Sequence, residues 1–413
     1  MNKTPPEPSR RIISRELVVV IVVVGLAIMG MSLLGPVMPL YLTSIGVSPS
    51  VLGLMLATGM AGMVLGESSG GWLADRAGLK LPMLIGTFLC VPMLISFVFT
   101  RSIGLIFVIF FFWGIVRSAL FGPGRGYIGT NVPLSHKATF MAIYATAMAA
   151  SRSVGTFTSG FVADGLGYEW MFVIAAGIAT TAGVLVIAGI KKNQTSKNAS
   201  QPALALPTDP PAPAVPLYRH RPFIAQSVVA ALYFAAIGVM PFLSLKASEG
   251  LGLPVTQVGV LFTIGAVVNA VLLIPMGRLA DRRSKRVMMA VGLLITSAGM
   301  AGIAAATNFA QLAVVQIVGS AGGSMFGPAA VALLSENVPL RRQSTAMGIY
   351  GGCEDIGIIF GSAVGGVVWS SLGPTPTFLL IGTTPAALGA VMCFALLKEK
   401  VTRKTATAQI AGT

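Results

Sequence analysis

Long runs of apolar residues, separated by short stretches rich in charged residues, glycine or proline, repeat along almost the whole chain. Apolar runs of about 18 residues or more are long enough to cross the hydrocarbon core of a bilayer as helices. Backbone groups in lipid must be hydrogen-bonded within the protein, and the shorter alternating strands of a barrel do not fit this pattern. The pattern therefore predicts twelve membrane-spanning helices, over residues 17–42, 50–73, 83–100, 103–132, 138–163, 170–190, 222–247, 255–277, 287–306, 310–338, 344–369 and 377–397.

The composition agrees with a chain that lies mostly in lipid. Hydrophobic residues make up 54% and charged residues 10%, whereas soluble domains carry about 25% charged residues. We therefore expect an all-α integral membrane protein. A proline-rich polar stretch divides the spans into two sets of six and is predicted to be a flexible linker. The predicted segments are a tail (1–16), a six-helix bundle (17–190), the linker (191–221), a second six-helix bundle (222–397) and a second tail (398–413).

The two predicted halves carry the same short motif at the same offset. Residues 71–80 read GWLADRAGLK, and residues 277–286, found 206 positions later, read GRLADRRSKR. Gly53 and Gly160 recur at the same offset as Gly259 and Gly366. Duplicated halves of this length are typical of secondary transporters. We therefore predict two pseudo-symmetric six-helix bundles around a central cavity.

Basic residues are concentrated in alternate loops. If both tails are cytoplasmic, 23 of the 28 Lys and Arg residues fall in cytoplasmic segments and two in outer loops. This is the positive-inside distribution of a plasma-membrane protein, so we expect the N- and C-termini to be cytoplasmic. The net charge of +15 is then a feature of topology, and nucleic acid is not expected as a partner because no basic stretch is interleaved with aromatic residues.

The repeated motif suggests a gate. The motif glycine is expected to end a helix, and the aspartate is expected to face the start of the next one, where a carboxylate gains about 0.3–1 kcal/mol. The motif resembles the loop signature G-x-L-a-D-r-x-G-r-k of the major facilitator superfamily, although the second copy has Ser284 in place of the second glycine. The resemblance implies the twelve-helix fold, transport by alternating access and a gating latch made by Gly71, Asp75, Arg76, Gly277, Asp281 and Arg282.

Within that superfamily the chain resembles the drug/metabolite:proton antiporter branch, with two departures. That branch often carries an arginine four residues before a glycine in helix 4, and Phe110 stands there, four residues before Gly114. Its helix 5 signature ends in GPxxGG, whereas residues 155–160 read GTFTSG. Both departures weaken the implication of drug export by proton antiport without excluding it.

Charged residues inside predicted spans cost about 2.5–3.5 kcal/mol each even on lenient scales. Arg125, close to the inner surface, is expected to reach the lipid headgroups, and five others are candidates for function. In each case the equivalent position of the other half is uncharged, so the fold itself does not require the charge. We predict that these residues bind substrate or couple protons, in a network across the central cavity with basic groups in the first half and acidic groups in the second. A static salt bridge between the bundles is the alternative. The five residues are Arg117, Arg152, Glu354, Asp355 and Glu67, the last being either a second protonatable site or a partner of the latch.

Three uncharged polar residues on the seventh and eighth spans, Gln226, Tyr233 and Asn269, are candidates to line the cavity. Hydrogen bonds between helices are the alternative role for such residues.

The predicted function is transport. The two histidines, His136 and His220, both fall in predicted cytoplasmic loops, so we expect no enzyme activity, no cofactor and no metal site. We expect a secondary active transporter that moves a small organic molecule by alternating access, proton-coupled and exporter-like. Its partners would be substrate, protons and membrane lipid, and it would function as a monomer. The alternatives are a proton-coupled symporter of an organic anion, suggested by Arg117 and Arg152, and more remotely a non-transporting receptor or scaffold.

Overall fold

The computed structural model describes residues 14–120, 124, 127, 132, 134–190, 220–338 and 342–396. Most of the two predicted tails and of the linker, residues 1–13, 191–219 and 397–413, lies outside the described residues. The same is true of a few side chains within helices, among them that of Asp75.

Each predicted span contains a helix. In the N-terminal half these are α1 (Arg15–Leu34, continued after a short break by Met38–Ser44), α2 (Pro49–Ala77), α3 (Lys80–Phe88 and Cys90–Phe99), α4 (Ile103–Ser118), α5 (Leu134–Leu166) and α6 (Tyr168–Gly189). In the C-terminal half they are α7 (Arg221–Gly238, Phe242–Leu245 and a π-helical turn Lys246–Gly250), α8 (Val255–Arg282), α9 (Lys285–Ala305), α10 (Phe309–Asn337), α11 (Gln343–Leu372) and α12 (Pro374–Leu396).

The described residues contain twelve such helices and no strand, and ten of the helices are long and apolar enough to cross a membrane. The prediction of an all-α membrane protein with twelve helices is therefore confirmed.

The packing repeats in the two halves. In the first half α1 packs against α5 and α2 against α4, and in the second α7 packs against α11 and α8 against α10. These are equivalent helix pairs under the sequence repeat. Between the halves, α2 packs against α11 and α5 against α8. The sequence repeat is thus also a repeat of helix packing.

Paired glycines make the contacts between the halves. A Cβ atom on Gly53 of α2 would lie 2.9 Å from the Cα of Gly366 in α11, and one on Gly259 of α8 would lie 2.9 Å from the nitrogen of Gly160 in α5. The two contacts are equivalent under the repeat. Small residues let backbones approach closely where helices cross in membranes, so these four glycines set how tightly the halves close.

Both glycine contacts lie toward one end of the bundle. We call the end where α1 begins and α12 ends the terminal face, and the end where α2 and α8 begin the opposite face. Toward the opposite face, the backbone N–H of Ser50 donates to Ser370 Oγ at 2.9 Å, and Thr263 Oγ1 donates to Thr156 Oγ1 at 3.1 Å. No hydrogen bond or ion pair between two described residues joins the halves at the terminal face. The conformation is therefore closed at the opposite face.

The two copies of the motif end their helices differently. The prediction that the first motif glycine ends a helix is wrong, because α2 runs through Gly71 to Ala77 and α8 runs through Gly277 to Arg282. The turn after α2 is made by Gly78 with φ 78° and ψ 173°, a region that is essentially restricted to glycine. In the second copy the turn has negative φ angles, and Ser284 caps α9 by accepting a hydrogen bond from the N–H of Val287 at 3.3 Å.

Candidate functional site

A cavity of about 240 Å³ lies among α7, α8, α9 and α10 and is completed by α5 from the other half. Three predicted site residues, Arg152, Tyr233 and Asn269, line it together. Polar side chains that sequence reasoning did not single out also line it, namely Thr156, Thr296, Gln316 and Ser320. The structure thus brings part of the predicted site to one place.

The contact between α5 and α8 positions Arg152. Thr156 follows Arg152 by one helical turn, and its hydroxyl accepts the hydrogen bond from Thr263 of α8. This contact places a side chain of the N-terminal half at the edge of a cavity that is otherwise built by the C-terminal half. Arg152 is exposed there and forms no hydrogen bond or ion pair with a described residue.

The opposite wall is formed by α7 and α10. The ring of Tyr233 stacks on that of Phe326, with centroids 4.2 Å apart. A Cβ atom at position 323 would lie 2.7 Å from the Tyr233 hydroxyl, so Gly323 leaves room for the phenol. Asn269 donates from Nδ2 to Ser324 Oγ at 3.2 Å, which links α8 to α10. These contacts fix two polar side chains at the cavity wall.

Two further polar groups on the cavity have no hydrogen-bond partner in the part of the chain that the structure describes. Gln316 is only 6% exposed, yet its side-chain amide forms no hydrogen bond with a described residue. The hydroxyl of Thr296 is buried without a hydrogen-bond partner among the described residues. Each interrupts an apolar run, and the residue equivalent to Gln316 in the first half is Phe111. This difference between the halves was a signal by which the sequence could have revealed Gln316.

The membrane-embedded acids form a second group next to this cavity. The charge of Glu354 on α11 acts on the phenol of Tyr233, which lines the cavity. The neighbouring Asp355 is close enough to Glu67 of α2 for the two negative charges to repel each other across the contact between the halves. The pair is thus a like-charge contact between the two halves.

The predicted network of arginines and carboxylates is not present in this conformation. Arg117 lies inside the N-terminal half, where its Nη2 is 3.5 Å from Met63 Sδ and its guanidinium lies 4.5 Å from the centre of the Trp113 ring. It lines a separate cavity of about 40 Å³ among α1, α3, α4 and α6. Among the described residues, neither Arg117 nor Arg152 forms an ion pair with Glu354 or Asp355.

Gln226 does not line the cavity. It is fully buried, and its Nε2 donates to the carbonyl oxygen of Ala330 at 2.6 Å. The bond joins α7 to α10, so the alternative role, an interhelical hydrogen bond, is the one observed.

The latch residues lie at the terminal face. The Arg76 guanidinium lies over the ring of Trp72, 4.3 Å from its centre. Asp281 and Arg282 are exposed and form no hydrogen bond with a described residue. The side chain of Asp75 lies outside the described residues, and Gly71 and Gly277 lie within their helices. A latching role for these six residues stays a prediction.

Within the described parts of the chain, no group of three or more His, Cys, Asp or Glu side chains is placed to hold a metal ion.

Comparison with known proteins gives a family for this arrangement. The family model described as Major Facilitator Superfamily matches residues 20–245 and 227–412. An uncharacterised MFS-type transporter of Methanocaldococcus jannaschii is 21% identical over 346 residues, covering 84% of this chain and 89% of the relative. The multidrug resistance protein 2 of Bacillus subtilis is 25% identical over 357 residues, covering 83% and 86%. The crystal structure of the nucleoside transporter NupG aligns with a TM-score of 0.76 at 13% identity, over 93% of this chain and all of that one.

Proposed function

We propose that this chain, which belongs to the major facilitator superfamily, exports a small organic molecule in exchange for protons. As a multi-pass membrane transporter of that type, it would do so by alternating access. Family and fold point to a carrier rather than an enzyme. The observation that carries the proposal is the 240 Å³ polar cavity, which is lined by side chains of both halves while the halves are closed on each other at the opposite face.

The paired glycine contacts support alternating access. Gly53 against Gly366 and Gly160 against Gly259 close the opposite face by backbone approach rather than by interlocking side chains. Such a contact separates without repacking large side chains. Rocking the halves about the cavity would open this face and bring α2 toward α11, and α5 toward α8, at the terminal face. There the exposed Asp281 and Arg282 would engage as the latch.

Proton coupling is assigned to the acids of α2 and α11. Closure of the terminal face would bring Glu67 and Asp355, which already repel each other, still closer together. Protonation of one carboxylate would permit that closure, and loss of the proton would favour the conformation described above. Glu354, adjacent to Asp355, would connect this pair to the cavity through Tyr233.

The direction and orientation follow from two separate arguments. Export is supported by the relative in Bacillus subtilis, whose name describes multidrug resistance. The concentration of basic residues in alternate loops supports a plasma-membrane location with the terminal face in the cytoplasm. On that orientation the cavity faces inward in the conformation observed, ready to receive a cytoplasmic substrate. We propose that the monomer transports.

The test is flux in proteoliposomes under an imposed pH gradient, with three permanently charged or neutral probes of similar shape: benzenesulfonate, benzenesulfonamide and phenyltrimethylammonium. We expect exchange of at least one probe to follow the pH gradient. That dependence should be lost in Asp355→Asn and reduced in Glu354→Gln. Glu169→Gln, an exposed acid paired with Arg101 at 3.3 Å, is the control. Flux that does not depend on the pH gradient would refute the proposed proton coupling. Full coupling in both variants would refute it as well.

A further inference from the structure

Arg152 is a cation at membrane depth without a counter-charge. Its guanidinium is exposed to the cavity and forms no ion pair with a described carboxylate. The equivalent position in the other half is occupied by Ile358, so packing of the repeat does not require a charge there. Intramembrane charges that are neither paired nor structural mark substrate or ion pathways.

Arg152 is also the only charged residue among those that line the cavity in the described chain. The other polar groups are all uncharged and belong to Thr156, Tyr233, Asn269, Thr296, Gln316 and Ser320. Neither acid of α11 lines the cavity. The local charge that a ligand meets in the cavity is therefore positive.

The uncharged wall carries hydrogen-bonding groups that have no partner among the described residues. Gln316 is only 6% exposed as a residue, it lines the cavity, and its amide forms no hydrogen bond with a described residue. A Cβ atom on Gly265 would lie 2.8 Å from its Nε2, so the glycine makes room for this amide. The buried hydroxyl of Thr296 is likewise unpaired. Buried polar groups without partners are unfavourable, and a ligand or water entering the cavity would satisfy them.

Three of these polar residues have counterparts without hydroxyl or amide groups in the N-terminal half, whose own small cavity is lined by Arg117 instead. The counterparts of Tyr233, Asn269 and Thr296 are Ala27, Met63 and Cys90. The cavity there measures only about 40 Å³. The repeated helix packing therefore does not require the hydroxyl and amide groups of Tyr233, Asn269 and Thr296.

The dimensions limit the ligand to a small molecule. A cavity of about 240 Å³ has room for a small organic molecule and not for a large one. The rest of the lining is apolar and includes Phe262, Met300 and Ile303. A compound with one charged group, one or two hydrogen-bonding groups and a compact apolar body matches these features.

Resting on the proposed transport function but not on its direction, we infer that the transported molecule is a small organic anion bearing one carboxylate or sulfonate group. Arg152 is the specificity-determining residue for the negative charge. Gln316 and Thr296 bind an uncharged polar group of the same molecule, and the apolar wall holds its body.

This arrangement ties the ligand to the conformation. Arg152 and Thr156 come from the N-terminal half and the other polar residues come from the C-terminal half, so an anion bound to Arg152 and to those residues bridges the two. The bridge is complete only while the contact between α5 and α8 at Thr156 and Thr263 holds. Opening the opposite face would withdraw Arg152 from the other polar groups and release the anion.

The inference is tested by binding to the full chain in detergent, measured by isothermal titration calorimetry at constant pH. We expect benzenesulfonate to bind at least about tenfold more tightly than benzenesulfonamide or phenyltrimethylammonium, which match it in size. Arg152→Gln should remove most of that preference while leaving the affinity for benzenesulfonamide unchanged. Arg152→Lys should retain part of the preference, since the charge remains.

Two controls separate charge recognition from misfolding. Arg101→Gln removes an exposed cation that pairs with Glu169 outside the cavity, and it should leave all three affinities unchanged. The thermal unfolding temperature of Arg152→Gln should match that of the wild type. Equal affinities, a preference for the cation, full anion preference in Arg152→Gln, or failure of all three probes to bind would overturn the inference.

The same probes distinguish failure of the inference from failure of the proposed function. If benzenesulfonate binds in a way that depends on Arg152 but no flux follows the pH gradient, the anion site is supported and proton-coupled transport is refuted. If the pH gradient drives flux of phenyltrimethylammonium and no anion binds, proton-coupled transport is supported and the anion site is refuted.

Discussion

Asp164, near the end of α5, caps the first turn of α8 in the other half of the protein. Its Oδ2 accepts a hydrogen bond from the backbone N–H of Thr256 at 2.6 Å and another from the Thr256 hydroxyl. The first N–H groups of a helix have no partner within the helix, and a carboxylate there is stabilised by the helix dipole. The halves are thus held together at the opposite face by a helix cap that spans the interface.

Replacing this cap should open the opposite face. Loss of an N-cap costs about 0.5–2 kcal/mol, so Asp164→Ala should shift the conformational equilibrium toward the open opposite face by roughly 2- to 30-fold. Spin labels on the exposed Leu166 and Glu249 would report the separation of α5 and α7 as a longer distance population. Glu169→Ala, at the same face but bonded within its own half, should not change the distribution. An unaltered distribution in Asp164→Ala would show that the cap does not hold the face closed.

A side chain at Gly53 should act as a wedge between α2 and α11. A Cβ atom there would lie 2.4 Å from the carbonyl oxygen of Ser362, and overpacking of this kind costs about 1–3 kcal/mol. Gly53→Ala should therefore populate an open opposite face, seen as a longer distance between spin labels on Ser48 and Leu372. Gly352→Ala in α11, where nothing lies within 4 Å, is the matched control. Equal distances in both variants would refute the wedge.

Removing the repulsion between Glu67 and Asp355 should favour closure of the terminal face. Two carboxylates near each other in wet surroundings repel by about 1 kcal/mol, so Glu67→Gln or Asp355→Asn should shift the equilibrium by about fivefold. The wild type should approach the same distribution as the pH falls and its carboxylates gain protons, whereas the variants should show little pH dependence. Spin labels on the exposed Ala77 and Thr345 measure this.

The double variant of this pair gives an internal check. Because the two residues act through one interaction, Glu67→Gln combined with Asp355→Asn should shift the equilibrium by less than the sum of the single effects. Strictly additive effects would mean that the carboxylates act separately.

The two motif turns should respond differently to substitution. Gly78 adopts φ 78° and ψ 173°, so Gly78→Ala should destabilise the protein by about 1–3 kcal/mol. Ser284 makes a helix cap instead, and Ser284→Gly should cost only a few tenths of a kcal/mol. Apparent unfolding temperatures in detergent would compare them, with Gly277→Ala, where nothing lies within 4 Å, as the variant expected to show no loss.

Asp281 should matter for turnover but not for the conformation described here. Its side chain is exposed and forms no hydrogen bond with a described residue, so Asp281→Asn should leave thermal stability and benzenesulfonate binding unchanged. If the residue latches the closed terminal face, exchange in proteoliposomes should fall by about tenfold. Glu336→Gln, which breaks an ion pair with Lys285 within one half at 2.9 Å, is the control. Normal exchange in Asp281→Asn would exclude a latching role.

The candidate site shows where sequence reasoning succeeded and failed. One cavity is lined by three of the residues that the sequence singled out, Arg152, Tyr233 and Asn269. Arg117 was expected near Glu354 and instead lies within its own half, over Trp113. A charge within an apolar run reveals that a side chain is unusual, but not which way its helix is turned. Each residue along a helix rotates the side chain by about 100°, so a small change in packing decides between cavity, interior and lipid.

The sequence by itself determined that the protein has twelve membrane-spanning helices in two duplicated halves. Both features can be read from the sequence because hydropathy is a property of each segment and the repeat is a periodic property of the chain. A run of apolar residues must satisfy its own backbone hydrogen bonds in lipid whatever lies next to it. The tertiary structure alone decided that Gly53 meets Gly366, that Asp164 caps α8, and that Gln316 and Thr296 share a cavity with Arg152. Those relationships join residues far apart in the chain, and they depend on the rotation and approach of whole helices, which no single segment specifies.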